Sequence, residues 1–108
     1  MFKARELNTP AGWDKALSHL QGISGPVYLS IDLDALDPGI MPAVGTPEPG
    51  GFMYSQVLTI METLTKRGPI IGLDLVELAP IPGQQVSEFT AARLLYKALG
   101  YIYHSRLK

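Results

Sequence analysis

The sequence predicts an α/β protein built on a parallel sheet, and three observations predict it. Two apolar runs of strand length, Val27 to about Asp34 and Ile70 to Leu78, flank a stretch with helical apolar spacing, which makes a βαβ unit with a right-handed crossover. Both runs end in carboxylates. Each is followed by a segment crowded with Pro and Gly, so the loops gather beyond the C-terminal ends of the strands, where parallel sheets bind ligands.

The elements follow in order. Thr9 can cap a helix with Pro10 at its first position, and Trp13, Ala16, Leu17 and Leu20 recur at helical spacing before Gly22 stops it. The first strand starts at Val27, after a turn containing Gly25 and Pro26. Pro38 to Gly51 holds too many breakers for helix or strand and is expected to be a long loop on a fixed path. Ser55 can cap the second helix, whose Val57, Leu58, Ile60, Met61 and Leu64 form one stripe ahead of Lys66, Arg67 and Gly68. The second strand, Ile70 to Leu78, is nearly all apolar and reads as covered on both faces. After Pro80, Pro82 and Gly83, Ser87 can start a last helix that buries Phe89, Ala91, Leu94, Leu95, Ala98 and Leu99 and stops at Gly100, leaving Tyr101 to Lys108 extended or frayed. Two parallel strands alone leave both sheet edges open, so residues 1–108 read as part of a larger sheet.

Composition narrows the function classes. Of the 108 residues 46% are hydrophobic and 18% charged, which is globular, and the formal net charge of -1 offers no basic surface for nucleic acid or an anionic membrane. No run approaches the ~18 apolar residues of a membrane span. The absence of cysteine removes disulfides, thiolate metal sites and thiol nucleophiles, and accords with a cytoplasmic protein.

The chemistry concentrates at Ser30-Ile-Asp-Leu-Asp-Ala-Leu-Asp37. If the strand runs to Asp34, Asp32 and Asp34 share one face with Tyr28 and Ser30, ~7 Å apart. Two carboxylates so placed repel each other and favour a divalent cation between them. An EF-hand starting at Asp32 fails, because Asp37 and Ala43 stand where Gly and Glu are required. An Asp-x-Asp sugar-nucleotide transferase remains open, as does a purely structural reading in which Asp34 or Asp37 caps the turn before Pro38 and Asp32 accepts from the backbone.

Ser30 to Pro38, Pro42-Ala-Val-Gly-Thr-Pro-Glu-Pro-Gly-Gly51 and Gly72-Leu-Asp-Leu-Val-Glu-Leu-Ala-Pro80 together resemble the signature of the ureohydrolase family, which includes arginases, agmatinases and related amidinohydrolases. The likeness covers about three quarters of the chain. It implies a three-layer αβα sandwich, of which two strands and three helices fall here, two Mn²⁺ ions, and hydrolysis of a guanidino compound to urea and an amine. By position, Asp32 and Asp34 match metal ligands and Glu77 matches the acid that receives the guanidinium; Thr46 lines the substrate pocket by analogy or serves as a turn-stabilising hydroxyl. Asp37 and Asp74 are left structural, and Glu48 leans toward an agmatine-like substrate.

The family's remaining metal ligands, a histidine and an Asp-x-His-x-Asp motif, are absent from these residues. His19 and His104 lack ligand spacing and read as ordinary surface or packing residues. The expectation is a C-terminal fragment of a single ureohydrolase domain, inactive alone and homo-oligomeric when complete, with a small guanidino substrate as its partner. The alternative is a non-catalytic remnant or assembly module.

Overall fold

The computed structural model describes residues 1–107, in the order α1 (Ala4–Leu7), α2 (Pro10–Gln21), β1 (Val27–Asp32), a 3-10 turn (Leu33–Ala35), α3 (Tyr54–Arg67), β2 (Ile70–Val76) and α4 (Val86–Arg106). β1 and β2 pair in parallel, with Ser30 opposite Asp74 and Asp32 opposite Val76. Ile71 is an extra residue between the pairs Val27–Ile70 and Tyr28–Gly72, and it points outward, 66% exposed.

Alternation along the strands sends Leu29, Ile31, Leu73 and Leu75 toward the helices, where they meet Val57 and Met61 of α3 and Ala91, Leu94 and Ala98 of α4. Leu33, Leu36 and Met41, just beyond β1, are also fully buried there. Each such side chain contributes ~1.5–3 kcal/mol, so the turn and the loop that follow β1 are anchored in the core as firmly as the strand. The opposite face, carrying Tyr28, Ser30 and Asp32, is exposed. The sheet is therefore covered on one face among the described residues, and the doubly covered β2 expected from its apolar run is not what this chain forms.

The caps explain the helix boundaries. The Thr9 hydroxyl accepts from the Gly12 N–H at 3.1 Å, as its position before Pro10 predicts. α3 begins one residue before Ser55, with Met53 as the cap residue and the Gln56 side chain accepting from the Met53 N–H at 2.8 Å. Ser87 lies inside α4 rather than at its start, and its buried hydroxyl accepts from the Ala43 N–H at 3.1 Å, tying the helix to the loop. At the far end of α3, Arg67 donates to the carbonyls of Ile23 and Gly25 at 2.8 and 2.9 Å and clamps the turn that feeds β1.

α4 differs most from expectation. It runs through Gly100 to Arg106, because one helical Gly costs only about 1 kcal/mol and Tyr101 just beyond it packs against the core. Lys108, the last residue of the expected tail, lies outside the described residues. Ala91, Leu94 and Ala98 are buried, whereas Phe89, Leu95 and Leu99 are exposed. The helix is apolar on two sides, and among the described residues only one meets a neighbour; the other carries Phe89, Ala92, Tyr96, Leu99 and Tyr103 at three- and four-residue intervals.

Candidate functional site

β1 stops at Asp32, two residues short of the expected end. The Asp32 side chain caps the 3-10 turn, its Oδ1 accepting from the Asp34 N–H at 2.9 Å. Asp34 therefore sits on the turn and not on the strand, so the two acids are adjacent through that cap rather than through strand alternation. The structural reading of Asp32 is half right: one oxygen has a backbone donor, and the residue is exposed.

Asp34 is held differently. Its Oδ2 accepts from the Thr46 hydroxyl at 2.5 Å, a short charge-assisted bond. Its Oδ1 is buried and has no hydrogen-bond partner. A buried carboxylate oxygen without a donor is costly, and a cation is the usual remedy.

The Pro/Gly loop brings Thr46 here along the fixed path its composition predicts. At its base the Asp37 N–H donates to the Phe52 carbonyl at 2.9 Å and the Phe52 N–H to the Ala35 carbonyl at 2.8 Å. The Asp37 carboxylate accepts from Gly39 N–H at 2.9 Å and from Gly50 N–H at 3.0 Å, so the structural role expected of Asp37 is observed as a latch across the loop. Gly51 is required where it stands, since a Cβ there would come 2.6 Å from the Leu36 carbonyl carbon. Met41, Ala43 and Val44 bury the middle of the loop.

Glu77 lies one residue past β2, exposed, with φ of 74°. The left-handed region costs a side-chain-bearing residue roughly 1–2 kcal/mol and persists when the surroundings enforce it. Here the backbone bridge between Val44 and Leu78, with the Ala79 N–H donating to the Ala43 carbonyl at 2.8 Å, leaves Glu77 at the corner. The same loop residues thus touch both acids: Thr46 holds Asp34, and Gly45 lies beside the Glu77 carboxylate. Neither the corner at Glu77 nor the role of Gly45 carries a signal in the sequence, because both arise from a pairing between distant segments.

Asp74 is structural, as expected. It accepts from Tyr28 Oη at 3.0 Å and Ser30 Oγ at 2.6 Å on the exposed sheet face. The carboxylate holds the Tyr28 phenol neutral by that hydrogen bond, and slight desolvation and its charge add to the effect, so the Tyr28 pKa lies above the ordinary tyrosine value. His19 packs edge-on against Phe2 at 5.6 Å between ring centres, and His104 is exposed near the end of α4.

The donor set is hard carboxylate oxygen, which suits manganese, magnesium or calcium. Asp32 and the unpartnered Asp34 oxygen fit one side of such a site. Among the described residues no three His, Cys, Asp or Glu side chains come together, so they do not form a complete one.

Comparison with known proteins places the chain in a family. The model of the arginase family matches residues 1–100. The chain is 43% identical over 109 aligned positions to the N(1)-aminopropylagmatine ureohydrolase of Synechocystis, covering 100% of this chain and 35% of that protein. It is 36% identical over 97 residues to the agmatinase of Pyrococcus horikoshii, covering 90% and 33%. The solved agmatine ureohydrolase of Thermoplasma volcanium superposes with a TM-score of 0.82 at 32% identity, covering 94% of this chain and 33% of that one. The chain spans about one third of the length of these relatives. A family match over residues 1–100 makes this chain a member of the arginase family.

Proposed function

We propose that this chain supplies the C-terminal part of a manganese-dependent site that hydrolyses an agmatine-like guanidino compound to urea and an amine. The observation that carries the reading is Asp34: one carboxylate oxygen is fixed by Thr46, and the other is buried without a partner beside Asp32. Asp32 and Asp34 would hold the metal, and manganese, when bound, lowers the pKa of water at the site enough for hydrolysis near neutral pH. Glu77 orients the planar guanidinium by charge-assisted hydrogen bonds, and Thr46 keeps Asp34 in place. Family membership leaves the Asp-x-Asp transferase reading without support.

Two carboxylates do not satisfy two ions that each take about six ligands, so turnover requires the rest of a full-length enzyme. We place that enzyme in the cytoplasm, with which the lack of cysteine in this chain is compatible, and infer a homo-oligomer from the resemblance to the family. The absence of a third ligand among the described residues equally favours a second reading, a non-catalytic remnant or assembly module.

Two measurements test the proposal. In the full-length enzyme, Asp32→Ala should abolish manganese-dependent urea release; normal turnover would refute the ligand assignment. Calorimetry of this chain alone with Mn²⁺ should show weak binding or none, and tight binding of two ions would overturn the partial-site reading.

A further inference from the structure

We propose that Gly45 is a positioning and specificity residue, whose missing side chain keeps one side of the Glu77 carboxylate open to a guanidinium that bears only hydrogens on its terminal nitrogens. The inference rests on reading Glu77 as the guanidinium acceptor. A Cβ built on Gly45 would lie 3.7 Å from Glu77 Oε2, an ordinary van der Waals contact. An alanine there therefore fits without displacing its neighbours, yet it covers the oxygen that an N–H donor has to approach to ~2.7–3.0 Å.

The loop backbone at Gly45 is not free to give way. Val44 is bridged to Leu78, Ala43 is bonded both to Ala79 and to Ser87, and Thr46 is bonded to Asp34, so the backbone on either side of Gly45 is held. Glu77 is held at φ 74° beside the same bridge, which sets where its side chain leaves the backbone. Gly45 itself is not among the residues with positive φ, so its backbone does not demand glycine. The space beside Glu77 is what the missing side chain provides. A guanidinium pairs with a carboxylate through a planar fork of N–H groups, which needs both carboxylate oxygens accessible.

The test uses the full-length, manganese-loaded enzyme and four variants. Gly45→Ala should raise KM for a monoalkylguanidine about tenfold with kcat changed less than about threefold, and Gly45→Ser should do the same. Manganese content and melting temperature should match the parent. On metal-free enzyme, calorimetry with guanidinium ion should show weaker binding by a similar factor. If both Gly45 variants bind and turn over like the parent while Glu77→Gln loses affinity, the Gly45 proposal is wrong and the role of Glu77 stands. If Glu77→Gln and Glu77→Ala both bind guanidinium normally, the reading of Glu77 falls and the proposal falls with it. Loss of manganese or of thermal stability in both Gly45 variants would show a structural role instead and overturn it.

Discussion

The Thr46 hydroxyl donates to Asp34 Oδ2 at 2.5 Å across twelve residues of sequence, and this bond joins the breaker-rich loop to the end of the first strand. It leaves the other Asp34 oxygen buried and unpartnered. Of the two roles expected of Thr46, pocket wall and stabilising hydroxyl, the hydrogen bond to Asp34 matches the second in kind. Thr46→Val preserves the shape and removes the donor. In the full-length enzyme it should weaken manganese binding by about 10–100-fold, as loss of a group that holds a metal ligand typically does, and calorimetry or metal-dependent melting would measure it. Thr46→Ser should retain most of the affinity.

At Glu77 the backbone and the carboxylate make separate demands. Asn tolerates the left-handed region, so Glu77→Asn should stay within about 0.5 kcal/mol of the parent in chemical denaturation. Glu77→Ile places a β-branched side chain at φ 74°, a strain beyond what Glu77 already bears, and should be measurably less stable than Glu77→Asn. Both should abolish turnover of the full-length enzyme. Equal stability of the two variants would show that the corner relaxes.

Gly51 tests the base of the loop. With backbone atoms of Ala35, Leu36 and Asp37 within 2.6–2.7 Å of any Cβ, Gly51→Ala should cost about 2 kcal/mol or more in urea unfolding. Asp37→Ala breaks the latch to Gly39 and Gly50 and should instead speed amide exchange at Gly50, with a smaller loss of stability.

The Tyr28–Asp74 pair predicts a pH dependence. The folded-state pKa of Tyr28 is raised, so its contribution to stability is fully present below the unfolded tyrosine value of ~10 and is lost as pH rises through the raised folded value. A spectrophotometric titration should show Tyr28 ionising above the ordinary tyrosine value, and Asp74→Asn should lower it. Unchanged titration in that variant would mean that the hydrogen bond is absent in solution.

The sequence by itself determined the parallel βαβ class, the amphipathic faces of α2 and α3, the fixed path of the Pro/Gly loop, and the acids Asp32, Asp34 and Glu77 near the strand ends. These are legible because periodicity, breakers and charge placement are local properties of the chain. It did not show that β1 stops at Asp32, since that depends on a side-chain cap competing with strand geometry. It missed the second apolar side of α4, because spacing marks apolar stripes without saying which one meets a partner. Only tertiary structure decided that residues 43–46 would bridge Asp34, Glu77 and Ser87, turning three separated polar side chains into parts of one framework. The physical reason is that hydrogen bonds across dozens of residues depend on where packing brings the backbone, and packing is set by the whole core rather than by any one stretch of sequence.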